Sequence, residues 1–262
     1  MIPIIDQSRK LVVGKRLLNA GLRKSQVFVF ITFSVQSFEI REPQVQILSH
    51  IGPLTSLALL LAAPDPASID RAAKQLIKEH PDLNVLINNA GIMQPDQAAG
   101  KIDDAVLLAT VNTNLIGSIR MPSALIEHLR TKDGAVVAYT SSVLGFVPLA
   151  VTAVYSSTKA ALHSYALSQR FMLRDTKVRV LEIAPPWVRT ELMNSQEAEQ
   201  AMPLDQFIAE AIGVLGTDAN EIVVAAAKPL RDNVGPAEHA FVDAFNAHML
   251  SLFGESQAVA GQ

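Results

Sequence analysis

The amino-acid sequence predicts an α/β fold, a doubly wound parallel sheet with helices on both faces. From residue 65 onward, helix patterns and strand patterns alternate along the chain. The strand patterns are short, continuously apolar runs, which is typical of parallel strands buried on both faces. The 262 residues, of which 49% are hydrophobic and 18% charged, suit a large core, so residues 1–262 are predicted to form a single domain.

The predicted elements follow in order from residue 65. Asp65 and Pro66 form a cap with an early proline and open a helix that continues to residue 79. Buried strands are predicted over residues 83–87, 135–140 and 178–183. Further helices are predicted over residues 103–129 with an interruption near Pro122, and over 154–174, 220–230 and 243–252, with a frayed tail after Gly254.

The composition argues against several classes of protein. The net charge of −3 without a basic stripe predicts no nucleic-acid partner. The absence of cysteine excludes disulfides, thiolate catalysis and cysteine-type zinc sites, and the six histidines form no metal-binding pattern, so no metal site is predicted. The longest apolar run, residues 54–63, is too short to span a bilayer, and the first residues lack the pattern of a secretory signal. A cytoplasmic protein without membrane contact is expected.

Tyr155, Lys159 and Ser142 have the spacing of an acid–base site. Tyr155 and Lys159 lie four residues apart, which places them on one face of a helix. An ammonium beside a phenol favours the phenolate, so a tyrosine with a pKa of about 10 is expected to become an acid and base near neutrality. Ser142, thirteen residues before Tyr155, can hydrogen-bond a substrate oxygen from a strand end. The arrangement predicts proton transfer to or from an alcohol or a carbonyl.

Five motifs resemble those of the short-chain dehydrogenase/reductase family in order and approximate spacing. They lie at residues 88–91, 114–117, 134–142, 155–159 and 185–190, where Pro186 stands in place of a more usual glycine. The resemblance covers roughly residues 65–250. It implies a Rossmann-like fold and an oxidoreductase that transfers hydride between a nicotinamide dinucleotide and a small, rather apolar carbonyl or alcohol.

The resemblance also implies a role for each site residue. Tyr155 is the expected acid and base, and Lys159 is expected to lower its pKa. Ser142 is expected to position the substrate oxygen, with Ser141 as its structural neighbour. Asn114 is expected to hold a water that relays protons to Lys159, although a plain helix-bending asparagine is the alternative. His163, one turn beyond Lys159, is expected to be a packing residue.

The expected cofactor is NADP, with NAD possible, because the resemblance extends to bacterial and fungal short-chain oxidoreductases of the D-alanine-transfer-associated type. The residues implied to contact it are Asn89, Ala90, Gly91, Tyr155, Lys159, Val188 and Thr190. Residues 191–213 are expected to form a substrate lid. Helices over residues 103–129 and 154–174 are those that build dimer interfaces in this family, so a homodimer or homotetramer is expected.

Residues 1–63 depart from the family pattern. The family's glycine-rich loop lets the backbone approach a pyrophosphate at a helix N-terminus. One placement of that loop puts Ile4, Ser8 and Lys10 at the glycine positions, and a second, with a first strand over residues 27–32, puts Phe33, Ser37 and Glu39 there.

Three explanations of this departure remain: a truncated or mis-spliced front end, a divergent member with a remodelled phosphate loop, and a relic that folds poorly or binds no cofactor. The corresponding functional alternative is a pseudoenzyme or dimerising scaffold. An isomerase or epimerase that uses the same Tyr155 and Lys159 is a further alternative.

Overall fold

Six parallel strands form the sheet in a computed structural model that describes residues 27–33, 55–61, 65–233 and 235–260. Within these residues the strand order is β2-β1-β3-β4-β5-β6. The strands are β1 (Val27–Phe33), β2 (Thr55–Leu61), β3 (Val85–Asn88), β4 (Val136–Thr140), β5 (Arg179–Ile183) and β6 (Glu221–Ile222). All of their pairings are parallel, as the apolar strand patterns predicted.

Helices connect the strands along the chain. The α-helices are α1 (Pro66–Glu79), α2 (Asp104–Val111), α3 (Ser118–Arg130), α4 (Ala153–Met172), α5 (Leu204–Leu215), α6 (Lys228–Arg231) and α7 (Glu238–Ala260). A π-helical segment, Asn112–Gly117, joins α2 to α3. Helix α1 starts as predicted, because the carboxylate of Asp65 accepts a hydrogen bond from the Ser68 amide (2.9 Å) and Pro66 occupies the first turn.

The main core lies between one face of the sheet and helices α1, α3 and α4. Leu86, Val137 and Val180 stand in register on three neighbouring strands and pack with Leu125 and Leu162 in this core. On the opposite face Val85, Ala138 and Leu181 are buried as well. A sheet buried on both faces explains why its strands are continuously apolar, and the predicted parallel α/β fold is confirmed.

The long helix predicted over residues 103–129 breaks elsewhere than expected. The disruption is the π segment, which begins at Asn112, while Pro122 lies inside α3 with its ring buried. A π segment widens the helical turn and is a recognised cause of helix bending. The prediction of an interruption near Pro122 was therefore wrong in position by about two turns.

Two predictions near the C-terminus were also wrong in part. Residues 220–230 begin with the short strand β6 and end in α6, because Ile222 adds to the sheet and Ala184 donates its amide to the Ile222 carbonyl at 3.1 Å. The last helix, α7, starts at Glu238 and continues to Ala260, where a frayed tail was expected.

The front of the chain supplies two strands to the sheet. Strand β1 pairs with β2 on one side and with β3 on the other, so the second placement, with a first strand over residues 27–32, matches the structure. The positions at which glycines were sought, except Phe33 at the end of β1, lie outside the described residues. Within the described residues, no helix is both long enough and apolar enough to cross a membrane.

Candidate active site

The candidate site lies where β3, β4 and β5 end beside the start of α4. Asn88 is in register with Tyr139, and Thr140 with Ile183, so the carboxyl ends of the three strands lie side by side. Ligands of open α/β sheets bind at such an edge. The structure therefore brings the loops that follow the three strands together with the residues of α4.

Tyr155 and Ser142 meet at this edge. Ser142 begins the loop after β4 in extended backbone, and its hydroxyl oxygen accepts a hydrogen bond from the Leu144 amide at 3.1 Å. Tyr155 is in the first turn of α4, and the Ser142 side chain is close enough to its phenol to lower the phenol's pKa. Both residues are buried. The expected pairing of a phenol with a serine hydroxyl is therefore present.

Lys159 lies one turn further along α4, and its ammonium reaches the same edge. Its Nζ donates a hydrogen bond to the Thr140 carbonyl oxygen at 2.7 Å and lies 5.4 Å from the centre of the Tyr155 ring. The glycine at position 145 lets α4 approach this closely, because a Cβ there would lie 3.0 Å from the Lys159 carbonyl carbon and oxygen.

The titration of this pair differs from the sequence-based expectation. Burial raises the pKa of Tyr155 to about 12, and the neighbouring Ser142 side chain only partly opposes this effect. Burial also lowers the pKa of Lys159 to about 8, against an attraction to Glu182 that raises it. The net direction for the phenol is opposite to the expected one, because loss of solvent outweighs the other effects on its pKa. The expected lowering by Lys159 itself stays a prediction.

Asn114 lies in the π segment and connects it to the loop after β3. Its Oδ1 accepts a hydrogen bond from the Ile92 amide (2.8 Å), and its Nδ2 donates to the Ile92 carbonyl (2.9 Å) and to Thr158 Oγ1 (3.2 Å). The side chain therefore holds the Ile92 loop against α4. The structure gives Asn114 a clear positioning contact, while its expected role in holding a water stays a prediction.

The region beside Lys159 fits a polar ligand such as a dinucleotide. The buried side-chain amide of Asn88 and the buried hydroxyl of Thr140 have no hydrogen-bond partner among the described residues. A Cβ at Gly91 would lie 3.4 Å from Lys159 Nζ, so the glycine leaves the ammonium uncovered on that side. Asn89 is exposed, whereas Ala90, which lies between Asn89 and Gly91 in the chain, is buried. Unpaired polar groups, an ammonium and an open backbone are what a ribose with hydroxyl groups would require.

Val188 and Thr190, the other residues implied to contact the cofactor, lie in the loop after β5. Val188 is buried and forms a bridge with Met202. Thr190 is half-buried, and its carbonyl accepts a hydrogen bond from the Ser195 amide at 3.0 Å. Both residues therefore lie at the base of the segment 191–213 rather than at its tip.

The first half of segment 191–213, which was predicted to be a lid, is held by hydrogen bonds from the loop that precedes it. The Trp187 indole donates to Ser195 Oγ at 2.9 Å, and the Arg189 guanidinium donates to the carbonyls of Ala198, Ala201 and Glu199 at distances from 2.8 to 3.0 Å. Its second half is helix α5. Trp187 thus serves as a hydrogen-bond donor to the segment.

Sequence reasoning missed two supporting residues. Asp96 accepts a hydrogen bond from the Val154 amide at 2.8 Å and so caps the helix that carries Tyr155 from a distant loop. Glu182 is a fully buried carboxylate in β5. A charge among the apolar residues that follow Arg179 in β5 was the available signal for Glu182, because glutamate is rarely buried without a partner. No comparable signal marked Asp96.

Comparison with known proteins agrees with this geometry. The family profile described as short chain dehydrogenase matches residues 21–201. An uncharacterized oxidoreductase, DltE, of Bacillus subtilis is 35% identical over 162 residues, which are 60% of this chain and 64% of the relative. The chain therefore aligns with less than two thirds of that relative's length.

A second relative and a solved structure cover more of the chain. An NADP-dependent 3-hydroxy acid dehydrogenase of Schizosaccharomyces pombe is 29% identical over 252 residues, which are 87% of this chain and 96% of the relative. The crystal structure of a short chain dehydrogenase from Burkholderia cenocepacia in complex with NADP superposes with a TM-score of 0.66. It is 20% identical and covers 87% of this chain and 99% of its own, so it shows the shared fold.

Proposed function

Because the chain belongs to the short chain dehydrogenase family, we propose that it is an oxidoreductase that transfers hydride between NADP(H) and a small, rather apolar carbonyl or alcohol. The observation that carries the proposal is the meeting of Tyr155, Ser142 and Lys159 at the carboxyl edge of the sheet. Tyr155 and Lys159 come from one face of α4 and Ser142 from the loop after β4, so the packing of α4 against the sheet edge brings the serine to the other two residues.

The protonation states of the free protein suit reduction. With a pKa of about 12, the Tyr155 phenol keeps its proton at neutral pH and can donate it to a carbonyl oxygen as the oxygen becomes an alkoxide. Ser142 hydrogen-bonds the same oxygen and aligns it with the phenol. A bound nicotinamide dinucleotide supplies the hydride. The Lys159 ammonium, 5.4 Å from the phenol ring, stabilises negative charge on the tyrosine after the proton has left.

Residues on both sides of Lys159 would hold the cofactor. Lys159 would bind the hydroxyls of the nicotinamide ribose, and the backbone of Asn89, Ala90 and Gly91 would line the adenosine ribose. Val188 and Thr190 would meet the nicotinamide carboxamide. The preference for NADP over NAD is supported by the Schizosaccharomyces pombe relative, whose name states its NADP dependence. We place residues 191–213 over this site as the substrate lid.

An apolar substrate is supported by the side chains that flank the polar site. Met93 follows the Gly91 turn, Leu144 follows Ser142, and Trp187 lies in the loop after β5. Such side chains would surround the carbon skeleton of a substrate while the phenol and the serine hydroxyl contact its oxygen.

The proposal is tested by titrating the purified full-length protein with NADPH and with NADH, followed by fluorescence, and by measuring turnover of small aldehydes and diketones. Tyr155→Phe removes only the phenolic hydroxyl and should abolish turnover while leaving NADPH affinity within about threefold, because the loss is confined to proton transfer. Tyr165→Phe is the matched control, since Tyr165 is half-buried against Tyr139 and its hydroxyl takes no part in the proposed chemistry.

The two halves of the experiment separate the alternatives. Binding of NADPH with turnover that is lost in Tyr155→Phe would establish a working reductase, and the changed front end would then be a remodelled phosphate site. A folded protein that binds neither NADPH nor NADH would refute the proposal and leave the pseudoenzyme or scaffold. Equal loss of turnover in the Tyr165→Phe control would remove the assignment of Tyr155.

We further propose that two copies of the chain pair through helices α2 and α4. Leu108, Leu167, Phe171 and Met172 are large apolar side chains on these helices that are 44–72% exposed. Large apolar side chains exposed on a folded surface are a mark of an interaction site. Phe171→Glu should convert a dimer or tetramer to a smaller species in size-exclusion chromatography with light scattering, whereas Gln206→Glu on α5 should not. An unchanged mass for Phe171→Glu would refute this interface.

A further inference from the structure

A buried acidic network lies directly beneath the proposed site. The Glu182 side chain has no exposed surface, and it points to the α4 side of the sheet, because it is in register with Tyr139 of the main core. The Ser141 hydroxyl donates to Glu182 Oε1 at 2.5 Å, and His163 Nδ1 lies 2.7 Å from Oε2. Each carboxylate oxygen therefore has a partner, which a buried carboxylate requires.

Both partners of Glu182 adjoin site residues. Ser141 directly precedes Ser142 at the end of β4, and His163 lies one turn after Lys159 on α4. Glu182 thus joins the strand end that carries the serine to the helix that carries the lysine. It is also close enough to Lys159 for its negative charge to act on the ammonium.

We propose that Glu182 is a positioning residue, an anion held by Ser141 and His163 that keeps Lys159 charged and fixes the strand end at Ser142. The proposal rests on the proposed function of the same site. Glu182 touches neither substrate nor cofactor in this assignment, and it acts through Lys159 and Ser142.

Other charged groups surround the carboxylate. His163 and Lys159 face it from α4, Glu221 lies beside it on β6, and Arg231 of α6 acts on both acids. Arg231 binds Glu221 through Nε at 2.7 Å and Nη2 at 3.0 Å, and its guanidinium stacks 4.6 Å from the centre of the Phe146 ring.

Of the two acids, Glu182 and not Glu221 is the one whose charge acts on the Lys159 ammonium. Ligand atoms of His163, Glu182 and Glu221 lie within 4.8 Å of one another, but the two-point contact to Arg231 makes this cluster an ion-pair network. Arg170, whose guanidinium binds the carbonyls of Val180 and Asn220, adds positive charge on the Glu221 side. Arg231 and Arg170 thus offset the Glu221 charge, and Glu182 remains the anion that acts on Lys159.

Lys159 needs a nearby anion because its surroundings disfavour its charge. Burial lowers the pKa of Lys159 to about 8, and the attraction to Glu182 is the opposing influence. Without that attraction, the lysine would lose its proton at a lower pH, so a smaller fraction of it would be charged near neutral pH. A neutral lysine could not stabilise a tyrosinate or hold the charge that the proposed site requires.

The test is the titration midpoint of Lys159, measured by NMR of its side-chain 13Cε in the full chain and assigned with Lys159→Met. Glu182→Gln keeps the size of the side chain and an acceptor for Ser141 but removes the charge. We expect it to lower the midpoint by about one pH unit, and Glu182→Asp, which keeps the charge, to lower it by less than about half a unit. Glu221→Gln is the matched control in the same network and should shift it less than Glu182→Gln.

This readout needs no turnover, so it stays informative if the protein binds no cofactor. A midpoint in Glu182→Gln equal to that of the wild type would overturn the proposal. If Glu182→Gln does not fold, Glu182→Asp decides. Withdrawing the carboxylate by one methylene should still lower the midpoint measurably, by less than about half a unit, and a midpoint that stays unchanged or rises contradicts the proposal.

Where turnover is measured, the alkaline limb of kcat in the reductive direction should move to lower pH with the lysine midpoint. If the alkaline limb of kcat stays at the same pH while the NMR midpoint of Lys159 moves, the proposed effect of Glu182 on turnover is overturned. If the wild-type protein shows no turnover with NADPH, that result would count against the proposed function and not against the coupling of Glu182 to Lys159.

Discussion

Replacing Lys159 by methionine is expected to abolish turnover and, at pH 7, to stabilise the folded protein. The lysine is almost completely buried, with 3% of its surface exposed, and its ammonium donates a hydrogen bond to the Thr140 carbonyl. Methionine is apolar and of similar length, so it can occupy the same space without a charge. The site would then gain stability at the cost of its chemistry, as expected where a functional charge is buried.

The magnitude follows from the change in pKa on folding. The pKa of Lys159 falls from 10.5 to about 8 when the chain folds. Below pH 8 both states carry the proton, and the folded state loses about 3 kcal/mol, since each pKa unit corresponds to about 1.4 kcal/mol. Between pH 8 and 10.5 the unfolded state binds more protons than the folded state, so this penalty falls as the pH rises. Losing the hydrogen bond to Thr140 offsets about 1 kcal/mol of the gain from methionine at any pH.

The assay is urea unfolding of both proteins at pH 7 and at pH 9.5. At pH 7 Lys159→Met should be more stable than the wild type by about 2 kcal/mol, and by pH 9.5 that advantage should have fallen by about 2 kcal/mol. Lys177→Met is the control for loss of a lysine charge at the surface, where Lys177 pairs with Asp133 and is 67% exposed. A difference between Lys159→Met and the wild type that is the same at both pH values would refute the reasoning.

Three further substitutions test the geometry around the lysine. Gly145→Ala should lower the free energy of unfolding by about 1–3 kcal/mol in urea titrations, because the new Cβ would meet the α4 backbone at 3.0 Å. Gly91→Val should weaken NADPH binding at least tenfold in fluorescence titrations with little change in stability, because its side chain would cover the Lys159 ammonium, which lies 3.4 Å from the Cβ position. Asn114→Leu should lower the melting temperature and turnover together, because it removes three hydrogen bonds that hold Ile92 and α4, whereas an unchanged melting temperature would contradict that positioning role.

The sequence predicts an element of the fold correctly where its local pattern and its burial in the folded protein agree. Helix α1 has a side-chain cap and a first-turn proline, and β4 is apolar and buried, so both were predictable to within one residue or two. The strand β6 was not predictable, because its two residues are held by the main chain of β5 and carry no periodic pattern of their own. The π segment before α3 holds Asn114 in contact with Ile92, a residue 22 positions away, and no local pattern encodes that contact.

The site residues were predictable as a set, and their electrostatics were not. Spacing placed Tyr155 and Lys159 on one face of a helix, and the structure has them there. The sign of the change in the Tyr155 pKa depends on how completely the phenol is buried, and a sequence does not report burial of one atom. Glu182 was missed for a related reason, since its partners Ser141 and His163 come from two other elements.

Burial explains both altered pKa values and links them to the direction of the proposed reaction. Water is excluded from the Tyr155 phenol and the Lys159 ammonium alike, which favours the neutral form of each group. For the phenol, the neutral form is the proton donor that carbonyl reduction needs. For the lysine, the neutral form would be a loss, and the nearby Glu182 carboxylate opposes it. The free protein therefore holds a protonated tyrosine beside a lysine that is largely charged at pH 7, and alcohol oxidation would need the phenol to lose a proton that burial retains. Reduction should accordingly dominate at neutral pH, and oxidation should increase as the pH rises.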